Sequence, residues 1–526
     1  MRKNLFYFFF IIATGRGDSQ NISFDLAGHS GILITEGINL WNRSWFSGIL
    51  LFDGTYASYP IRFGEHVNKN FFLNDSYNLS DFNSFKDSTF TKSYFNHARG
   101  DYNYNKLDFS FINNFKDENW KINFFKKNFY GNTGHYIINN QTNSPIQESY
   151  TINYNKKIKK QNLEFAIGRF LTKSGLPDIN QNGKELNEIL SSAFRIKSNF
   201  NNINAVLYFS QFFQNRRIFH STFSDSTYHK INRSLLKFKI YKIENISLNL
   251  DNNLYLHSND QKNYLKKWSN FYINGIYKDL NLFLGYQFFE PRKNNKNGIN
   301  WNISYHYNPT NLKLLIQSRK YAEPFHPNLL NQKYIDFQFF TDNKVSLQFD
   351  NDNLTLSTSV ISTMIENNIV NSPINFFNFN LNYKIFPNLS FYTKVTSQVD
   401  TSFFGIGGGE IYEVGFKPKF LFFNKKMKFE SIIYANIYDG FSPYYEYSVT
   451  NNIPNKIELE GDIKNDYWLL NLEAVVNISS AKLYYKATNI LNAINPNDNS
   501  SLVYRNYIYP RLGRMVEFGV EWHFDN

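Results

Sequence analysis

Strict two-residue alternation of apolar and polar side chains recurs down this chain, and it constrains the fold more than any other feature. Phe377, Phe379, Leu381, Tyr383 and Ile385 alternate with Asn378, Asn380, Asn382 and Lys384. Trp301, Ile303, Tyr305 and Tyr307 alternate with Asn302, Ser304 and His306, and Val516, Phe518, Val520, Trp522 and Phe524 with Glu517, Gly519, Glu521 and His523. Successive strand side chains point to opposite faces, so each segment has one apolar and one polar face. A soluble sandwich alternates too, and the spacing of turns separates the two. A short polar turn followed by Asn, an aliphatic residue, any residue and an apolar residue recurs from Asn162, Asn245, Asn281, Asn311, Asn353 and Asn388. Between these lie longer polar stretches, Thr172 to Glu188, Gln214 to Tyr228, Tyr321 to Gln332 and Asp439 to Asn455. Tight turns at one end and long loops at the other mark transmembrane β-barrels.

Composition fits that reading. A chain of 526 residues exceeds a usual single soluble core, yet no hinge divides it after about residue 100. Aromatics make up 19% of the chain at a mean hydropathy of −0.46, which suits residues alternating between lipid and a wet lumen. There is no cysteine, as is common in oxidising compartments. The net charge of +12 is dispersed among Asn, Lys, Ile, Phe and Tyr, all AT-rich in codon usage, so it does not point to nucleic acid. Arg2 and Lys3 precede the apolar run Leu5 to Ala13, which reads as a signal peptide over residues 1–20. That run falls far short of the roughly 20 residues of a spanning helix.

The expected fold is therefore all-β. A large antiparallel transmembrane barrel of about 22 strands occupies residues 89–526. Counting back from Phe524 puts the first strand near Thr89 to His97. Tyr334 to Phe349 and Lys456 to Ile478 can each be divided in more than one way. Residues 21–88 lack regular alternation and hold Gly28, Gly31, Gly37, Gly48, Gly54 and Gly64. They read as a short plug-like segment whose Ile49–Phe52 stretch ends at the Asp53-Gly54 turn, or else as further barrel strands.

The last forty residues resemble the end of TonB-dependent outer-membrane receptors. Leu483-Tyr484-Tyr485 leads into Asn489-Ile490-Leu491-Asn492, similar to that family's Asn-Leu-Phe-Asn/Asp motif, and Tyr509-Pro510-Arg511-Leu512-Gly513-Arg514 resembles its Tyr-Pro-x-Pro-Gly-Arg stretch. Leu512 stands where the second proline is common. Leu50-Leu51-Phe52-Asp53-Gly54 is similar to the family's Val-x-Asp-Gly plug stretch, and Gly100-Asp101-Tyr102 resembles its first barrel hairpin. The plug's Gly-Pro-x-Ser-x-Leu-Tyr-Gly segment is absent, and Ile32-Leu33-Ile34-Thr35-Glu36 is the nearest approach to a TonB box. The resemblance implies uptake of a small ligand across the outer membrane, with lipid, barrel-assembly machinery and a TonB-type periplasmic transducer as partners. The final strand, Val516, Phe518, Val520, Trp522 and Phe524, would be the element read in assembly. A passive porin-like channel and a surface adhesin or scaffold stay open as alternatives.

Chemistry is not expected. The ten histidines are scattered and no thiols accompany them, so no zinc set converges and His306 and His523 read as polar lumen or loop residues. No nucleophile elbow is present, and no cofactor is called for. Gly405-Ile406-Gly407-Gly408-Gly409-Glu410 is followed by a strand pattern rather than the helix a phosphate cradle needs. Phe124-Phe125-Lys126-Lys127-Asn128-Phe129-Tyr130 reads as a membrane-interface girdle. Lys384, Lys482 and Lys486 should face the lumen, since a lysine at the lipid midplane costs roughly 2–4 kcal/mol. The ligand, its contact residues and the oligomeric state are not readable from the chain.

Overall fold

The computed structural model describes residues 32–35, 38–41, 89–128, 130, 146–175, 184–200, 203–219, 227–243, 246–259, 263–290, 298–324, 337–366, 373–398, 409–439, 445–448, 453–456, 467–491 and 514–525. Twenty-two of its strands close into one antiparallel barrel in which each strand pairs with its neighbours in sequence. The first, Phe90–Gly100, closes the cylinder against the last, Met515–Asp525. Tyr334 to Phe349 resolves into one strand, Phe337–Asp350, and Lys456 to Ile478 into Tyr467–Ile478 preceded by Ile453–Lys456 outside the barrel. Among the described residues no helix is long and apolar enough to cross a membrane, which says nothing against crossing by strands.

The two rims differ. At one, strands are joined by a few residues, such as Lys159-Lys160, Lys278-Asp279, Pro387-Asn388 and Ser479-Ser480. Five of the six Asn turn motifs sit there, and Asn245 lies outside the described residues. Lys159, Lys278 and Ser479 take left-handed φ, as tight hairpins demand. Carbonyls of Asp117, Lys160, Asp279, Asn311, Asn353, Asn388 and Ser480 each accept a backbone bond from the next hairpin, so neighbouring turns are stitched together along much of this rim. At the other rim the connections are mostly longer. They are shorter than the sequence suggests between Thr172 and Glu188 and between Gln214 and Tyr228. The strands Gln161–Gly175, Lys184–Phe200 and Ile203–Phe219 continue into those stretches, where the backbone ladder runs on although apolar–polar alternation fades.

Side chains on the concave face of a closed sheet converge, and those on the convex face diverge. Buried polar groups such as Asn123, Asn249, Asn300, Asn378 and Asn471 therefore mark the lumen, and exposed Phe165, Ile167, Leu248, Ile273, Leu284 and Phe518 mark the outside. The outward apolar band, followed up from the tight-turn rim, is crossed by a row of polar residues. Gln211–Ser234, Asn252–Ser269 and Ser318–Asn343 pair across strands in that row by hydrogen bonds of 2.6, 2.6 and 2.5 Å. Six to nine residues separate this row from the rim, roughly 15–23 Å at about 3.3 Å per residue and a tilt near 40°, and exposed Leu190 and Leu254 carry the band beyond it.

Two further strands, Ile32–Thr35 and Ile38–Trp41, form an antiparallel hairpin. The stretch nearest to a TonB box thus opens on a paired strand. The second strand of this hairpin lies near Ile374–Phe386 and Leu389–Gln398 of the barrel. Asp53 and Gly54 lie outside the described residues, as do residues 1–31.

Candidate functional site, the lumenal wall

From Leu389–Gln398 through the closure seam to Ile203–Phe219 the wall is ion-paired. Lys394 Nζ lies 2.7 Å from Glu413 Oε1, Lys482 Nζ 3.1 Å from Glu521, and Lys486 Nζ 3.9 Å from Glu473. Tyr434 donates to Glu473 at 3.4 Å. The Tyr484 hydroxyl reaches Asn96 Oδ1 at 2.8 Å and Glu517 at 3.2 Å, tying three strands together across the seam. Further round, Glu164 pairs with Arg195, and both are almost fully buried; Lys197 Nζ lies 3.6 Å away. Breaking such a buried pair leaves one charge stranded, which typically costs about 3–5 kcal/mol.

Tyrosine rings lie flat against this wall because glycine faces them. Tyr392 pairs with Gly415 and Tyr484 with Gly519. A Cβ on Gly415 would sit 2.8 Å from Tyr392 Cε1, and one on Gly519 would overlap the Tyr484 ring. Lys417 Nζ is 4.0 Å from the Tyr392 ring centroid, a cation–π distance.

From Ile246–Asn259 to Ile374–Phe386 the wall is mostly amide and hydroxyl. Asn249 donates to Ser247 at 3.0 Å, Asn300 to Gln287 at 2.6 Å, Gln317 to Asn302 at 3.0 Å, Asn378 to Ser359 at 3.2 Å and Asn380 to Ser357 at 2.8 Å. Arg319 and Asp342, 2.7 Å apart, interrupt this ladder.

A cavity of about 1200 Å³ opens on the ion-paired side beside the tight-turn rim. Lys417, Lys419, Lys428 and Lys482 line it with Glu430, Glu473, Glu521 and His523. Lys384, Lys482 and Lys486 occupy the lumenal face, as alternation requires, since they share it with Asn378 and Tyr484. His306 also shares the lumenal face, with Ser304. The girdle expectation needs correction. Phe125 and Lys127 are buried on the lumenal side, and Phe124, Lys126 and Asn128 of that strand's upper half share the outward face.

The remaining expected residues fall elsewhere. Phe518, Trp522 and Phe524 are exposed on the outer face, in step with Val516 and Val520, and Trp522 stacks on Phe524 at 5.1 Å. Asn489, from the Asn-Ile-Leu-Asn motif, takes φ 51°, and its N–H donates to Asn471 Oδ1 at 3.1 Å. That backbone favours Asn. Gly405 to Gly408 and Tyr509 to Gly513 lie outside the described residues. Among the described residues no His, Asp and Glu cluster could hold a metal. The tyrosine–glycine pairs and Glu164–Arg195 escaped sequence reading, because alternation gives faces but not cross-strand partners.

No protein-family model matches the chain, and no curated protein matches it. Solved structures do. The FrpB iron transporter from Neisseria meningitidis, in its apoprotein form, aligns with a TM-score of 0.62 at 9% identity, covering 84% of this chain and 82% of that one. A mutant of the ferric enterobactin receptor PfeA from Pseudomonas aeruginosa aligns at 0.61 and 8% identity, covering 84% and 81%. The copper transporter OprC aligns at 0.61 and 10% identity, again over 84% and 81%. At such identities the likeness is one of fold: this chain folds as a closed 22-strand antiparallel barrel of the kind found in TonB-dependent receptors.

Proposed function

We propose that the protein is an outer-membrane receptor or transporter of the TonB-dependent type, moving an unidentified small ligand without altering it. The observation that carries this reading is the combination of an outward apolar band with a polar, ion-paired lumen in a barrel of 22 strands. A cylinder this wide conducts unless something fills it. In this reading residues 1–20 are a signal peptide, 21–88 a plug-like segment turning at Asp53-Gly54, and 89–526 the barrel. The final strand with Phe524 guides insertion by barrel-assembly machinery. Residues 21–88 carry seven carboxylates and four Lys or Arg, opposite in sign to the whole chain. The similar proteins named for iron, ferric enterobactin and copper transport favour a metal-bearing ligand.

The missing Gly-Pro-x-Ser-x-Leu-Tyr-Gly segment favours a second reading, a passive porin-like channel. Planar-bilayer conductance separates the two. Full-length protein should be silent, and protein lacking Asn21 to Asp87 should open widely. Steady conductance in both forms would leave the porin reading in place.

A further inference from the structure

On the lumenal wall beside the tight-turn rim, lysines flank one serine hydroxyl. Ser390 lies directly across from Lys384 on one neighbouring strand and from Lys417 on the other. The two lysines therefore stand two strand spacings apart, about 10 Å, and Lys419 follows Lys417 on the same face roughly 7 Å nearer the rim. The Lys419 N–H donates to the Asn388 carbonyl at 2.8 Å, which fixes that residue beside the Pro387-Asn388 turn. Ser390, Lys417 and Lys419 line the cavity of about 1200 Å³.

These cations lack what the rest of this wall supplies. The carboxylates around them are already taken: Glu413 by Lys394 at 2.7 Å, Glu430 by Lys428 at 2.7 Å, Glu521 by Lys482 at 3.1 Å and Glu473 by Lys486 at 3.9 Å. Among the described residues no carboxylate lies within ion-pair distance of Lys384, Lys417 or Lys419, Asp350 and Asp352 of the next turn included. Lys417 is half-buried and rests against the Tyr392 ring, 4.0 Å from its Nζ. The hairpin near these strands is uncharged in both of its own, ILIT and INLW. Holding cations together away from bulk water is costly unless an anion joins them. An anion in the cavity would supply the missing partner.

We infer that this end of the lumen binds a phosphate group, free or carried by a small solute, with Lys384, Lys417 and Lys419 as its cations and the Ser390 hydroxyl as a further donor. The residue types favour that anion over a carboxylate. Lysine offers a point charge on a flexible stem, whereas the planar fork of arginine is the match for a planar carboxylate. Ammonium groups arriving from both sides of Ser390 suit a tetrahedral dianion, whose oxygens point in several directions. A cavity of this size has room for the rest of a phosphorylated solute. Short turns face the periplasm in barrels of this kind, so the site stands at the exit of the lumen. The inference deepens the transport reading and rests on it for that direction of travel, not for the binding itself.

The test is calorimetric titration of the full-length protein in neutral detergent with glycerol 3-phosphate, inorganic phosphate, malonate and glycerol. Saturable binding of both phosphates, weakened by salt, is expected, with malonate much weaker and glycerol not bound. The tighter phosphate tells whether the group arrives esterified or free. K417Q/K419Q removes two charge-assisted contacts and should bind at least about tenfold more weakly. Lys116→Gln, in a tight turn beyond the closure seam, should bind as the parent does. If the double variant does not fold, Lys384→Gln alone should still lose several-fold. Malonate bound as tightly as phosphate, or affinity unchanged in these lysine variants, would overturn the proposal. So would phosphate binding that emerges only when Asn21 to Asp87 is deleted, which would give the lysines to carboxylates of that segment. Planar-bilayer conductance keeps the two readings apart. A barrel that stays closed even without that segment defeats the transport reading and leaves phosphate binding in place; a conducting barrel that binds no phosphate defeats only this inference.

Discussion

The two halves of the lumenal wall solve one problem by different means. Both must line water-facing sheet with polar groups and keep it rigid. The amide half does so with short neutral bonds between partners on neighbouring strands, directly opposite in Asn378–Ser359 and Asn380–Ser357 and diagonal in Asn300–Gln287. The other half uses ion pairs and tyrosine rings that span several strands, as in the Lys486–Glu473–Tyr434 and Asn96–Tyr484–Glu517 chains. Neutral pairs can be lost singly at small cost. Coupled charges cannot, because removing one leaves its partner exposed to a poorly compensated field. The cavity and the closure seam both lie on the coupled side, so rigidity is concentrated where the wall has most to position.

Substitutions that break this contrast should differ in size. Glu164→Gln leaves Arg195 buried without its carboxylate and should lower unfolding stability in urea by about 3–5 kcal/mol. The matching change in the amide half, Asn300→Ala, should cost only about 1 kcal/mol. A Glu164→Gln loss no larger than that of Asn300→Ala would erase the distinction. Gly519→Val, which drives a branched carbon into the Tyr484 ring, should cost about 1–3 kcal/mol. Pairing it with Tyr484→Ala should recover part of that loss if the ring is the obstacle. The smallest effect concerns pH. At the seam, Tyr102 donates to the Arg514 carbonyl at 2.8 Å, and Asp101 accepts from the Val516 N–H at 2.9 Å. Burial, aided by the Asp101 carboxylate, raises the Tyr102 hydroxyl above its ordinary value near 10. The unfolded chain therefore loses this proton first. The tyrosine's contribution is whole below pH 10 and declines as pH rises through the folded value. Thermal unfolding of Tyr102→Phe should be flatter than that of the parent over this alkaline range, and identical slopes would remove Tyr102 from the seam.

Much of the fold was legible because a barrel strand is written locally. Phe377 to Ile385 alone gives a face assignment, and the Asn motifs give the rim. Such patterns led to the expected number near 22, which the closed sheet has. Strand length was less legible. Beyond the membrane both faces turn polar, so alternation fades at Lys184–Glu188 although the ladder continues. The lumenal partners were not legible at all. Glu164 and Arg195 meet only through the register between Gln161–Gly175 and Lys184–Phe200. Asn96 and Tyr484 meet only because the cylinder closes.

Closure has a kinetic consequence. Every barrel pairing but one joins strands adjacent in sequence and can form as a hairpin added to a growing sheet, with little loop entropy to overcome. The exception joins Phe90–Gly100 to Met515–Asp525, with contacts such as Tyr102–Arg514 spanning 412 residues. Until that step the sheet carries two long unpaired edges, each a template for pairing with another chain. The slow and aggregation-prone event in making this protein is thus one zipper, at one place, and a chaperone that shields a single pair of edges would be enough to protect it.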